Sequence, residues 1–334
     1  GQINNSNYVV GFQAGSESLD VTWNDLARVE FDADGKMTRS ADLLFLGGGS
    51  NVNSDREKYA VFSEFYPQIR NDLDLKISAR FEKIGDESSF DPKISLKKYV
   101  NNNLILRGSL GTSFAMPSLG QLYSANTSLS NVSGIFIRVS KVGDPNLKPQ
   151  SSTNSNFGII YLYEDRKISL DYWQIDYKDR LTAESAKILY AANPNNPIFT
   201  YDSSGVLFAA NVKYINEEKT DLSGIDFSFE SGKYDSSFGQ FNYKINGTYL
   251  LKYETTQGGT SIERAGRFNN DIDGYSLPEY KVNLFALLEK NLNKYTFNAR
   301  YVSGYDNHKK LLTRAISVGG YSNKVDSSLM YDFG

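Results

Sequence analysis

Few residues in this chain of 334 have the type and spacing for covalent or acid–base chemistry. There is no Cys and a single His, His308. Disulfides, thiolate ligands and Cys nucleophiles are excluded, and a zinc centre or a His-based triad would need unusual partners. Asp32-Ala33-Asp34-Gly35 faintly resembles a calcium loop. Its glycine comes too early for an EF-hand and no glutamate closes it, so a polar turn is expected. Gly47–Gly49 lacks the Lys-Ser/Thr of a phosphate cradle and reads as a flexible surface loop. Glu217 and Glu218 are neighbours, and on a strand neighbours point to opposite faces. Asp74 and Glu82 share a strand face but stand roughly 26 Å apart. Neither pair makes a glycosidase dyad, and solvated charge is the expected role of all four. Neither a metal centre nor a cofactor is expected, and the chain reads as something other than an enzyme. The formal charge of −3 gives no basic footprint for nucleic acid.

Five cations remain as functional candidates: Arg80, Arg107, Lys244, Lys252 and Arg300. Each lies on the polar face of a segment that alternates apolar and polar residues. They can contact a partner domain or guide an anionic ligand. They can equally solvate that face, or pair with Asp74, Asp226 and Asp326.

The segments that carry them must be strands. In Gln240–Tyr253, Phe241, Tyr243, Ile245, Gly247, Tyr249, Leu251 and Tyr253 fall on one face and mostly polar residues on the other. A helix would scatter these residues around its axis, whereas a strand separates them. Leu73–Glu82, Tyr295–Val302 and Lys324–Phe333 repeat the pattern. Weaker copies lie near Tyr59–Ile69, Pro92–Val100, Leu104–Thr112, Thr153–Tyr163, Lys167–Tyr177, Leu222–Gly232 and Pro278–Glu289. No stretch reaches 18 apolar residues, so no transmembrane helix is expected.

The connections sort by length. Arg70–Asp72, Asn101–Asn103, Glu164–Arg166, Tyr234–Ser237 and Lys290–Asn293 are short and polar. Ala115–Ser152, Asp179–Asp221 and Glu254–Leu277 are long. This asymmetry, with ten-residue alternation, predicts an all-β, antiparallel transmembrane β-barrel with short periplasmic turns and long extracellular loops. About 12 or more strands are expected, as part of a larger barrel. Two short helices are expected in the loops, one with Pro117 at its first position, the other over Ala183–Ala192 capped by Thr182. The 23 Tyr and 20 Phe suit interface girdles, with Tyr249, Tyr253, Tyr280, Tyr295 and Tyr301 near strand ends.

Several motifs then resemble one family. Gly111-Thr112-Ser113-Phe114-Ala115-Met116-Pro117-Ser118-Leu119-Gly120-Gln121-Leu122-Tyr123 is similar to the F-R-A-P-S-L-x-E-L-Y segment of TonB-dependent outer-membrane receptors. Val142-Gly143-Asp144-Pro145-Asn146-Leu147-Lys148-Pro149-Gln150 resembles their G-N-P-x-L-K-P-E, and Thr220–Asp226, with Gly224, their T-x-G-x-E/D strand start. Gly47–Gly49 and Arg56–Glu64 resemble one branch of the family. The motif positions are Phe114, Pro117, Leu119, Tyr123, Pro145, Leu147, Lys148, Pro149 and Gly224. Ala115-Met116 replaces the usual Arg-Ala, and Gln150 stands where Glu is common. The resemblance runs from about Gly47 to the end.

It implies a bacterial outer-membrane receptor that imports a scarce nutrient (siderophore-iron, vitamin, saccharide or peptide). Energy would arrive from the TonB complex through a plug domain. Residues 1–334 would then be one β-barrel domain without plug or terminal strands, with outer-membrane lipid, TonB and an unknown ligand as partners. A passive porin and a soluble β-sandwich adhesin that binds glycans are the alternatives.

Overall fold

The structure, a computed structural model, describes residues 1–3, 6–32, 36–42, 47–257, 259–269, 275–307 and 322–334. His308 and Ala33–Gly35 lie outside the described residues.

Twelve strands form one antiparallel meander: β1 (Ser6–Val21), β2 (Val52–Tyr66), β3 (Leu73–Ile84), β4 (Glu87–Tyr99), β5 (Leu104–Ala115), β6 (Gln150–Tyr163), β7 (Arg166–Ala183), β8 (Leu207–Glu230), β9 (Gly239–Gln257), β10 (Tyr280–Lys290), β11 (Asn293–Val302) and β12 (Ser328–Phe333). Each pairs with the next in sequence. No pairing joins β1 to β12 among the described residues. The architecture is that of a transmembrane β-barrel wall, as the alternation predicts.

Register carries the alternation from strand to strand. Phe12 faces Val61, Val61 faces Phe81, and Phe81 faces Phe90. Leu170 faces Phe227, and Ile245 faces Leu284. This outer face is apolar and its large side chains are uncovered by protein: Phe12 is 68% exposed and Phe90 63%. So much contiguous apolar surface is stable only against lipid. The opposite face carries Gln13, Arg80, Arg107, Asp171, Lys244 and Arg300, and no second sheet packs on it among the described residues. That disposition does not suit a β-sandwich, whose inner face must be apolar.

The short connections fall where the sequence places them. The β6–β7 and β10–β11 turns use Glu164 (φ 54°) and Asn291 (φ 55°) in the left-handed region. On the opposite side the connections are long, except between β3 and β4, where Gly85-Asp86 suffices.

Three expectations are corrected here. The strand Ser6–Val21 has no counterpart in the sequence reading, because its alternation is short. Tyr8, Val10 and Phe12 point out, but above Ala14 the same face holds Ser16, Ser18 and Asp20. The long segments are not open loops either, since strands overshoot the membrane. About ten residues cross the hydrocarbon, whereas β7 has 18 and β8 has 24. Gly47–Gly49, expected to be a flexible surface loop, contains a buried strand. Gly48–Gly49 pairs with Ala125–Val132, and a Cβ on Gly49 would stand 2.3 Å from the Trp23 indole.

The projecting segments build a second, smaller sheet. Gly48–Gly49 is followed by Ala125–Val132, Ile135–Val142, the first residues of β8 and Phe199–Tyr201. Ser133-Gly134, both at positive φ, makes its tight hairpin. Helix α1 (Leu119–Tyr123) and helix α2 (Ala186–Ala192) flank it. Helix α2 ends before Asn193-Pro194, as expected, but its cap is Ser185 rather than Thr182, because β7 continues to Ala183. Val132, Ile137, Val139, Ala186, Phe199, Leu207, Ala210 and Val212 form an apolar core here. A barrel wall has none of its own; the core sits in the extracellular cap. We expect Ile137→Ala, at a cost of about 2–5 kcal/mol, to admit protease within residues 125–213. The barrel should keep its heat-modifiable mobility on a gel. Loss of that mobility would show that cap and wall fold as one unit.

Candidate functional site: the lumen wall and its mouth

Helix α1 is built locally. Ser118 Oγ accepts the Gln121 N–H at 3.2 Å, and Gln121 Oε1 accepts the Ser118 N–H at 2.9 Å, a reciprocal capping box. Pro117 therefore precedes the cap and does not occupy the first helical position as expected. Leu119 and Leu122 are buried. The Arg56 guanidinium donates to the Pro117 carbonyl at 2.8 Å while held by Glu17 at 2.9 Å. Arg56 and Glu17 lie on the inner faces of β2 and β1, so this pair draws α1 over the mouth.

The segment that closes the same loop packs on α1. Gly143 N–H donates to the Ser124 carbonyl, and Asp144 N–H to the Gln121 carbonyl at 3.0 Å. A Cβ on Gly143 would lie 2.7 Å from the Leu122 carbonyl oxygen, so the close approach needs glycine. Further along, the Asn216 side chain accepts from Lys148 N–H and donates to the Lys148 and Asp179 carbonyls. Gln150 Oε1 accepts the Leu181 N–H at 2.9 Å. The stretches around Phe114–Tyr123 and Pro145–Pro149, some thirty residues apart, thus form one zipped loop base. Beside it is a cavity of about 780 Å³, lined by Arg28, Glu30, Asn51, Tyr123, Asp144 and Lys213 among others. Gly224 serves a different end: a Cβ there would stand 2.4 Å from the Trp173 ring.

The five cations divide. Arg80 pairs with Glu82 at 2.8 Å and also donates to Gln13. Arg107 holds Asp171 through two nitrogens, at 2.7 and 2.5 Å. Lys244 pairs with Glu230 at 3.0 Å and Arg300 with Asp332 at 2.5 Å. These four line the inner face. None meets the partners anticipated from sequence: Asp74 accepts from the Tyr99 hydroxyl and Asp226 from Thr248. Glu82 lies two residues away on the same strand, Glu230 and Asp332 on the adjacent strand, and Asp171 two strands away, reached over Gly158. Around Arg107 and Asp171 the wall is concave, with a cavity of about 670 Å³ lined also by Asn156, Ser169, Asn246 and Lys281.

Lys252 is elsewhere. The register of β8 and β9 slips between Ser223 and Gly224, which face Lys252 and Leu250, leaving Leu251 as an extra residue. This bulge reverses the face of everything beyond it. Lys252 turns to the outer surface, where it meets Asp221 at 3.2 Å and Glu254 at 3.0 Å. Tyr253 turns inward and leaves the outer girdle expected for it. Tyr249, Tyr280 and Tyr301 do meet on the outer face, Tyr249 edge-on to Tyr280 at 5.7 Å between ring centroids and Tyr280 stacked on Tyr301 at 6.3 Å.

Sequence reasoning missed the polar cluster at the inner mouth. Arg180 pairs with Glu217 at 2.7 Å, and Thr220 donates to the same carboxylate. Glu217 is therefore buried rather than a solvated charge. Arg264, in the β9–β10 connection, donates to Thr255 at 3.0 Å. Tyr275 lies in the same connection, and burial, reinforced by Tyr253, pushes its hydroxyl up to about 12. Only a residue count of buried charge would have flagged this site, and sequence gives no such count.

Two outcomes follow. Asp171→Asn should lower thermal stability in detergent by about 1–3 kcal/mol, with Arg107→Ala adding little further; additive losses would mean that the pair is uncoupled. Because the Tyr275 pKa is raised, its neutral form contributes stability fully below about pH 10, and that contribution is lost as pH rises through about 12. Tyrosinate absorbance should show a late-titrating hydroxyl that Tyr275→Phe removes, whereas an unchanged titration would contradict the desolvation of that hydroxyl beside Tyr253.

Comparisons with known proteins agree with this geometry. A family model described as TonB dependent receptor-like, beta-barrel, matches residues 1–333, extending the resemblance back to the first strand. The probable TonB-dependent siderophore receptor PirA of Acinetobacter baumannii is 21% identical over 275 residues, 79% of this chain and 35% of that protein. The crystal structure of the siderophore receptor PirA from Acinetobacter baumannii superposes with a TM-score of 0.66 at 14% identity, over 98% of this chain and 45% of that one. A mutant of the ferric enterobactin receptor PfeA from Pseudomonas aeruginosa gives 0.66 at 14% identity, over 98% and 43%. The copper transporter OprC gives 0.57 at 12% identity, over 99% and 46%. This chain spans less than half the length of each of these relatives. With its lipid-facing exterior and matched strand ladder, the chain belongs to the TonB-dependent receptor-like β-barrel family of the bacterial outer membrane.

Proposed function

We propose that this chain forms part of the barrel of a receptor that imports a ferric siderophore across the outer membrane with TonB-coupled energy. The observation that supports the reading is that PirA of Acinetobacter baumannii, found both by sequence and by structure, is named a siderophore receptor, and that another structural neighbour is named a ferric enterobactin receptor. The geometry is compatible with it. The inner wall is hydrophilic, and α1 with the Gly143–Lys148 segment folds over the mouth, where ligand enters. Arg80, Arg107, Lys244 and Arg300 are proposed to contact a plug domain supplied by the longer protein, their carboxylate partners fixing their heads for that contact. Further strands of the longer protein are proposed to close the sheet at β1 and β12, since lipid cannot satisfy open edges. Copper, the cargo in the name of one neighbour, is less well supported, because soft ligands are scarce: three Met, one His and no Cys.

The test is uptake by iron-starved cells lacking their own siderophore receptors and expressing the full-length protein. Radioiron carried by catecholate or hydroxamate siderophores should enter, and deletion of TonB should abolish entry. Iron uptake indifferent to TonB, with free passage of small sugars, would favour the porin instead.

A further inference from the structure

The extracellular rim of the wall is uneven. The β3–β4 hairpin turns at Gly85-Asp86, where the Gly85 N–H donates to the Glu57 carbonyl. β2 pairs with β3 only from Lys58 downward, yet it continues up to Val52 beside β1. On the far side of the hairpin, β5 pairs with β4 as far as Gly111 and continues to Ala115 beside β6. The wall therefore has a notch between β2 and β5. It is three strand spacings wide, about 14 Å, and the Val52–Arg56 edge gives it a height of roughly 17 Å. No strand joins that edge on the β3 side among the described residues. A gap of this size would open the lumen sideways to bulky solutes.

The chain that leaves β5 does not rise straight towards β6. It crosses back over the notch to β2. Arg56, in the inner-face row directly above the Lys58–Ile84 pair, donates through Nη1 to the Pro117 carbonyl at 2.8 Å. The first helical acceptor of α1 is the Ser118 carbonyl, so the Pro117 carbonyl needs a donor from elsewhere. Nε and Nη2 of Arg56 are held by Glu17 at 3.1 and 2.9 Å, and the side chain is only 11% exposed. Helix α1 then lies on β1 and β2, and a Cβ on Gly120 would touch Leu19 at 3.9 Å. The returning segment is bonded to α1 at Gly143 and Asp144, and Asn216 ties Lys148 to the Asp179 carbonyl. A helix of five residues has no stability of its own. Its position is set by these attachments, one at β1–β2 and one at β7–β8.

We propose that α1 and residues 143–148 form a fixed strap that closes the notch, with Arg56 as its latch. Bulky solutes then reach the lumen only through the top of the mouth. The latch is a single guanidinium that joins one carboxylate on the wall to one carbonyl on the strap, so losing it frees the β2 end while leaving the strand ladder whole. This inference does not rest on the identity of the transported ligand.

The test uses the full-length protein in outer-membrane vesicles, with Lys58→Cys as its only cysteine. That position lies at the foot of the notch on the inner face, opposite Ile84. Two thiol reagents are compared, a small methanethiosulfonate and a maleimide carried on a bulky polyethylene glycol. With the strap intact, the small reagent should react readily and the bulky one slowly. Arg56→Ala should raise the bulky-reagent rate about tenfold, the change expected when one charge-assisted hydrogen bond governs a local opening. The small-reagent rate and heat-modifiability should stay as they were. Gly143→Ala, whose Cβ would meet the Leu122 carbonyl oxygen at 2.7 Å, loosens α1 without touching the wall and should have the same effect. Lys294→Ala, which breaks the ion pair with Glu289 near the β10–β11 turn, should change neither rate. An unchanged bulky-reagent rate in both strap variants would overturn the proposal. So would an equal rise in Lys294→Ala, or bulky labelling as fast as small labelling with the strap intact.

Discussion

Everything in this molecule follows from one constraint: inside hydrocarbon, no backbone N–H or C=O can be left to water. A strand satisfies none of these groups by itself, so each strand depends on its two neighbours. The twelve-strand ladder is the consequence, and it fixes side-chain direction as well. Once Phe12 faces lipid, Val61, Phe81 and Phe90 must face it too, and Arg80 must face the lumen. The apolar band and the charged wall are two readings of one hydrogen-bond register.

The same constraint explains where ordinary globular packing appears. A barrel wall one layer thick buries little against itself, since lipid takes the place of the core. Above the membrane, water would otherwise meet the apolar side chains of the projecting strands. There the chain forms the small sheet around Ile137, Val139, Ala210 and Val212. The cap is therefore a soluble-type domain built from loop segments, tied down by Arg56, Asn216 and Gly143 at its base. Its charged neighbours, Arg180 with Glu217 and Arg264 with Thr255, are buried at the lumen mouth. There each needs its partner, since an unpaired buried charge costs several kcal/mol.

Charge on the two faces obeys different rules. On the lumen side, cations are neutralised by carboxylates within two residues or two strands, which holds Arg107 and Arg80 in fixed poses. On the outer side, charge is tolerated only beyond the aromatic boundary. The bulge at Leu251 falls just past Tyr249, at the point where the outer face ceases to need apolar residues. Moving that bulge by a few residues toward the membrane would turn Tyr249 inward and Thr248 outward, into the apolar band.

The sequence by itself determined the strands that alternate for ten residues, the short turns between them, the helix end at Asn193-Pro194 and the family likeness. These are local properties: side-chain period is set by the strand backbone, and turn residues by their φ. It could not show β1, because only its lower half alternates, nor the Gly48–Gly49 strand, whose partner lies some eighty residues away. It placed Lys252 and Tyr253 on the wrong faces, because one extra residue in a ladder is invisible until the opposite strand is known. It named the lumen cations but not their partners, because pairing depends on which strands are adjacent and in what register. Tertiary structure alone decided those points. Hydrogen-bond register and close packing are relations between distant segments, and a single sequence read in order contains only their local half.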